Sequence, residues 1–269
     1  MKRMSCLIAG LFLLNIALNA FSQSEIKVRS SKMNKDVPVT VILPDGYDEG
    51  ISFPVIYLLH GFSDNHTKWT TGGVVGTLAD LYDIIFVLPD GGYDSWYFDS
   101  EVTPEYQYET FVSSELVAYV DGNYKSVKDR NGRAITGLSM GGHGAIYLGI
   151  RHQDTFGSMG SMSGGLDFRP FPGEWGIAGR LGPKDEYPER WENSTVINLT
   201  HLLKPSSMNI IIDCGTEDFF YEVNCSFHEK LMKQGIPHEF YTRPGQHNWK
   251  YWLNAIKYQV LYFNDRLSR

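Results

Sequence analysis

Hydrophobic and polar positions follow two regimes along the chain. Segments 26–29 and 37–43 alternate apolar with polar residues and are separated by the polar turn 30–35. A period of two marks strands with one covered face, and the short turn makes them an antiparallel pair at a sheet edge. Further on, the apolar runs become more continuous: 54–59, 84–88, 133–138, 158–163 and 208–213, with 239–243 last. Such runs suit parallel strands covered on both faces. The main helical segments are 107–123, 141–151, 222–234 and 248–269. With no internal repeat, low-complexity tract or linker, the pattern predicts an α/β fold. It would be one domain on a mostly parallel eight-stranded sheet flanked by helices.

Two segments stand apart from this alternation. Lys2 and Arg3 precede an apolar stretch over 6–21, which leads into Ala20-Phe21-Ser22-Gln23. A basic start, an apolar centre and small residues before the cut predict a secretory signal peptide over 1–22, cleaved after Ser22. The stretch is short for a membrane span. The remaining domain, 23–269, is then expected outside the cell or in a periplasm. The second segment, 164–207, joins the sixth and seventh strands and carries Phe168, Trp175 and Trp191. A connection of about 44 residues is usually functional or disordered, and its aromatic residues argue against disorder. It is expected to be a lid or cap insertion; the alternative is a helical excursion that covers the sheet.

Charge narrows the choice of partner. The chain has 24 Lys+Arg against 31 Asp+Glu, a net charge of −7, and loss of Lys2 and Arg3 with the leader would deepen it. An acidic chain without a basic stripe is a poor binder of nucleic acid or of anionic membrane surfaces. Two of the three cysteines, Cys214 and Cys225, lie beyond the leader. One ends a buried strand and the other sits on a helix, so two free, buried thiols are expected rather than a bridge. No C-x-x-C, H-E-x-x-H or acidic calcium-loop pattern occurs, so neither a metal nor a cofactor is implied.

The candidate chemistry starts at Gly137-Leu138-Ser139-Met140-Gly141, between a predicted strand and a predicted helix. With 27 Gly and 21 Ser in the chain, chance supplies roughly 0.2 such G-x-S-x-G matches, so the strand–turn–helix context carries the weight. In that context the motif is a nucleophile elbow. A serine hydroxyl needs a base, and the base needs an acid to orient it. His247 follows the last strand and is the candidate base. The end of the seventh strand supplies Asp213, Glu217 and Asp218; Asp218 is the candidate acid, with the other two in reserve. A developing oxyanion needs two backbone N–H donors. Met140, after the serine, is one. Phe62, in the loop His60-Gly61-Phe62 after the third strand, is the other. Trp96 and Tyr97, after the fourth strand, either line a substrate pocket or pack their loop onto the sheet. Trp175 of the insertion is a further substrate-binding candidate.

Several of these motifs, taken in order, resemble a known family. They are the His60-Gly61 loop with Trp69, Pro89-Asp90-Gly91 through Ser95-Trp96-Tyr97, Gly137 to Gly142, Cys214-Gly215-Thr216-Glu217-Asp218, and Gly245-Gln246-His247-Asn248-Trp249. Together they are similar to the esterase D-like group of α/β hydrolases, over nearly the whole chain after the leader. That group includes S-formylglutathione hydrolases, tributyrin-type esterases, carbohydrate esterase family 1 feruloyl and acetylxylan esterases, and the antigen 85 mycolyltransferases. The resemblance implies an α/β-hydrolase fold, a triad of Ser139, Asp218 and His247, and oxyanion donors at Phe62 and Met140. Secretion disfavours a cytosolic thiol-ester substrate. The expected activity is therefore deacylation of carbohydrate esters, feruloyl or acetyl. The alternatives are a broad short-chain esterase, an acyltransferase of the mycolyltransferase type, and an inactive sugar-binding homologue.

Overall fold

The computed structural model describes residues 22–47 and 50–269. Apart from Ser22, the predicted leader lies outside the described residues. The strands are β1 (Ser22–Ser30), β2 (Lys35–Leu43), β3 (Val55–Leu59), β4 (Ile85–Pro89), β5 (Arg133–Gly137), β6 (Ser158–Met162), β7 (Asn209–Gly215) and β8 (Glu239–Arg243). They form one sheet in the order β1-β2-β4-β3-β5-β6-β7-β8. β1 pairs antiparallel with β2, and β2 antiparallel with β4. From β4 to β8 every neighbouring pair is parallel. This is the α/β-hydrolase sheet, with the eight strands where the hydrophobic pattern put them. β1 begins earlier than its alternation suggested, because backbone pairing runs on from Ile26↔Val39 to Ser22↔Leu43. Backbone pairing needs no apolar side chain, so the pattern could not reveal it.

The helices are α1 (Val74–Tyr82), α2 (Tyr108–Thr110), α3 (Leu116–Asn123), α4 (Met140–Arg151), α5 (Ile177–Leu181), α6 (Pro188–Ser194), α7 (Val196–Leu199), α8 (Tyr221–Lys233) and α9 (Trp249–Asn264). Strand side chains alternate between two layers. Val55, Tyr57 and Leu59 of β3 join the core layer containing residues of α3, α4 and α8. Ile56 and Leu58 join the opposite layer, with residues of α1 and α9. Two predicted helices change and one further helix appears. The segment 107–123 is interrupted by a π-helical turn at Phe111–Glu115, which buries Phe111, Val112 and Ser113 together. The last helix stops at Asn264, where the chain turns and Leu267 N–H donates to Phe263 O. The short helix α1 was not among the predicted ones.

The insertion 164–207 carries α5, α6 and α7 and is fastened along its length. Phe168 and Trp191 are fully buried, and Trp191 Nε1–H donates to Gly182 O at 2.9 Å. Arg180 pairs with Asp94 at 2.9 Å, and Lys230 of α8 donates to Ile197 O at 2.7 Å. Cys214 and Cys225 are both free. Cys214 is buried as expected, but Cys225 is only partly so, because it sits on α8 outside the positions that face the sheet. Among the described residues no helix is long and apolar enough to cross a membrane.

His143 of α4 ties the insertion to the core. Its Nε2–H donates to Ser194 O at 3.0 Å, and its ring packs among Trp96, Phe98, Tyr147 and Phe168. Burial lowers its pKa from 6.5 to about 4. The unfolded chain therefore takes up this proton near pH 6.5 and the folded chain only near pH 4. Stability is complete above 6.5, falls as pH drops through that window, and levels off below it. A shift of this size corresponds to about 3 kcal/mol. Urea unfolding at pH 7 and pH 4.5 should show that His143→Gln loses about 2 kcal/mol less on acidification than the unsubstituted chain. An equal loss in both would refute the assignment.

Candidate active site

The turn between β5 and α4 presents Ser139. Its backbone sits at φ 54°, ψ −119°, a region that costs a non-glycine residue on the order of 1–3 kcal/mol. Neighbouring backbone bonds hold it there. Ser139 N–H donates to Met162 O at 2.9 Å, and His143 N–H donates to Ser139 O at 3.0 Å. The flanking glycines make the turn sterically possible. A Cβ at Gly137 would lie 2.6 Å from Gly141 O, and one at Gly141 would lie 2.5 Å from His60 O. Any larger residue would force β3, β5 and α4 apart.

His247 meets the serine from the loop after β8. Its Nε2 lies 2.9 Å from Ser139 Oγ. Its Nδ1 lies 2.8 Å and 3.0 Å from the two carboxylate oxygens of Asp218. A carboxylate can only accept, so Nδ1 carries the proton and Nε2 presents its lone pair to the serine hydroxyl. Asp218 is buried and also accepts the Phe220 N–H at 2.8 Å, which fixes its plane. The two reserve acids lie elsewhere. Asp213 is buried against Arg243 and the Tyr251 hydroxyl. Glu217 is exposed and accepts from Gln246 at 3.3 Å.

The loop after β3 lies directly against the serine turn. A Cβ at Gly61 would stand 2.6 Å from Leu138 Cδ1 and 3.4 Å from Ser139 Cβ. His60 shapes this loop. Its Nδ1–H donates to Gly61 O at 2.8 Å, and its Nε2 accepts the Gly91 N–H at 2.7 Å. Burial pushes its pKa down, which keeps the ring neutral and able to accept from Gly91. Among the described residues, neither the Phe62 N–H nor the Met140 N–H donates to a protein acceptor. Both amides are therefore free for a ligand oxygen beside Ser139. Met140 also opens α4, whose N-terminal amides favour negative charge.

A cavity of about 160 Å³ opens above Ser139, lined by Phe62, Asp64, Trp175, Phe219, His247 and Trp252, with Gly61 and Leu138 at its base. Trp175 and Phe219 stack at 5.7 Å and 15°, and Phe219 lies 4.2 Å from the His247 ring. Trp175, a substrate-binding candidate of the sequence, lines this cavity. Trp96 and Tyr97, the other two substrate-binding candidates, do not: both are fully buried and neither lines the cavity, so their loop packs onto the sheet, the second of the two alternatives. Their left-handed backbone, φ 52° and 61°, turns the rings inward, where burying aromatic area is favourable. Trp96 Nε1–H donates to Trp175 O at 3.0 Å, so it supports the cavity wall from beneath. The Tyr97 hydroxyl donates to His60 O at 3.1 Å and steadies the β3 loop. Phe219 and Trp252 were missed by the sequence reading. The only signal was their place, one residue beyond Asp218 and on the first turns of the helix after His247.

Comparison with known proteins gives the family. The Esterase family, described as "Putative esterase", matches residues 30–263. The chain belongs to this esterase family. An esterase of Mycobacterium tuberculosis is 30% identical over 251 residues, covering 82% of this chain and 54% of that protein. The chain thus spans about half the length of that relative. An acetyl esterase of Caldicellulosiruptor saccharolyticus is 27% identical over 253 residues, covering 86% of this chain and 94% of that protein. Among solved structures, a ferulic acid esterase superposes with a TM-score of 0.77 at 30% identity, over 91% of this chain and 98% of its own.

The two buried aspartates give opposite expectations. Asp218→Asn should lower kcat by about 10⁴-fold while leaving the fold intact, because it reverses the His247 tautomer. Asp213→Asn should keep most turnover per folded molecule and cost about 2 kcal/mol of stability by weakening a charged hydrogen bond to Arg243. Steady-state kinetics and urea unfolding of the two proteins separate these outcomes, and the reverse pattern would move the acid to Asp213.

Proposed function

We propose that this esterase-family chain hydrolyses carboxylic esters through an acyl-enzyme, with Ser139 as nucleophile, His247 as general base and acid, and Asp218 as the group that orients it. The observation that carries this reading is the continuous relay from the Asp218 carboxylate through His247 to the Ser139 hydroxyl. His247 Nε2 takes the hydroxyl proton as Oγ attacks the ester carbonyl. The Phe62 and Met140 amides receive the oxyanion of the tetrahedral intermediate. His247 then returns the proton to the leaving alcohol, and the C–O bond breaks. Water attacks the acyl-enzyme by the same route in reverse order and frees the acid.

Cavity size and lining bear on the acyl group. At about 160 Å³ the space is well below the 300–1,000 Å³ of sites that enclose drug-sized ligands. It suits an acetyl group or one aromatic ring rather than a long chain. The stacked Trp175 and Phe219 offer a flat apolar wall to a planar acyl group. With an acetyl esterase and a ferulic acid esterase among its relatives, and a predicted secretory leader, the reading extends to acetyl or feruloyl esters of carbohydrates outside the cytoplasm. A broad short-chain esterase is the second reading, and the small cavity is what favours it.

Ser139→Ala should lower kcat by at least about 10³-fold without loss of fold and should abolish labelling by a fluorophosphonate. Turnover near that of the unsubstituted chain would sink the mechanism. A panel of p-nitrophenyl esters from acetate to decanoate, run beside methyl ferulate and acetylated xylan, reads the substrate. Turnover should fall steeply with chain length and be retained on methyl ferulate or acetylated xylan. Activity confined to simple short-chain esters would select the second reading, and a preference for decanoate would refute both.

A further inference from the structure

A groove of about 690 Å³ lies on the other side of the His247 loop from the acyl cavity. The two share that loop as a wall: His247 faces the cavity, while Gly245, Gln246 and Asn248 face the groove. Its polar and charged lining comes from Glu217, Arg243, Gln246, Asn248, Lys250 and Asn254. Nothing in the proposed chemistry uses these side chains.

The charges in this lining nearly cancel. Arg243 is neutralised by the buried Asp213, which leaves Glu217 against Lys250. A groove rich in amides and hydroxyl-binding groups but without net charge suits a neutral polyhydroxyl ligand better than an anion or a cation. Lys250, Asn254 and Tyr258 follow one another at four-residue intervals along α9, so they form a single row on one face of the helix. Tyr258 is 44% exposed and rests against the Arg243 guanidinium, 4.4 Å from the ring centroid. Tyr241 of the edge strand β8 is 39% exposed, with its ring 6.4 Å from that of Tyr258. Amphipathic tyrosine rings at the end of a row of amide and charged side chains offer a flat surface to the C–H face of a sugar beside donors for its hydroxyls.

We propose that this groove, with the Lys250–Asn254–Tyr258 row, is a subsite for the saccharide chain that carries the scissile ester. The choice of a saccharide rests on the carbohydrate-ester reading above. The acyl group would enter the small cavity, and the sugar chain would pass over the His247 loop into the groove.

Asn254 and Tyr258 lie outside the relay, so Asn254→Ala and Tyr258→Ala are the test variants. In the binding arm, unesterified xylo-oligosaccharides are titrated into Ser139→Ala protein, with and without the added substitutions. In the kinetic arm, an acylated xylo-oligosaccharide is compared with the methyl ester of the same acid. Loss of one or two hydrogen-bonding or stacking contacts should weaken saccharide binding about fivefold to tenfold. kcat/KM on the oligosaccharide ester should fall by a similar factor through KM, with methyl ester turnover unchanged. Absence of saccharide binding to the Ser139→Ala protein, or affinity and KM unchanged in both variants, would overturn the subsite. If the unsubstituted enzyme cleaves the methyl ester but not the sugar ester, while saccharide binding is present and lost in the variants, the substrate reading fails and the subsite stands.

Discussion

The structure depends on a close approach of backbones around Ser139. β3, β5 and the start of α4 converge so tightly that Gly137 and Gly141 face carbonyl oxygens within 2.7 Å of where a Cβ would sit. That contact lets the chain reverse from strand to helix within one residue, and it holds Ser139 at positive φ with the hydroxyl clear of the sheet. The strain is local, and the cost is offset by the fully buried strands on either side. Because Gly61 packs on the same turn, the β3 loop and the first turn of α4 are set relative to one another by the same contact. Ser139 and the backbone amides of Phe62 and Met140 are therefore positioned together.

His247 and Asp218 reach Ser139 from the far end of the sheet. β7 and β8 run parallel to β5, two and three strands away, so the loops that follow them open at the same edge of the sheet as Ser139. The carboxylate is locked by Phe220 N–H and by burial, and the imidazole packs against the rings of Phe219 and Trp252. Aromatic packing does two things here. It excludes water from one side of the imidazole, and it shapes the wall against which an acyl group would lie. The insertion 164–207 contributes Trp175 to that wall, while Phe168 and Trp191 sink it into the core and the buried His143–Ser194 hydrogen bond ties it to α4. It is a fastened extension of the core with one residue at the cavity.

Much of this was legible in the chain. Period-two alternation and continuous apolar runs give all eight strands, since each strand must bury one or two faces and the required residues repeat at fixed spacing. The order of Ser139, Asp218 and His247 after their strands is readable for the same reason: strand ends can be located, and a parallel sheet gathers them at one edge. Trp96 and Tyr97 show where that logic stops. Their place in the loop after β4 was readable, but the direction of their rings depended on two left-handed backbone angles that composition does not reveal. The helix α1 escaped because it is short and carries a glycine, Gly76, near its start.

The sequence by itself determined the sheet, the strained serine turn and the places of Ser139 and His247 after their strands, because each follows from local pattern and from where glycine is required. Only the tertiary structure decided which of three neighbouring acids reaches His247, which aromatics face the cavity rather than the core, and that a polar groove adjoins the same loop. Those are matters of distance and direction between segments remote in the chain. They depend on how the elements pack, and not on what any one segment prefers alone.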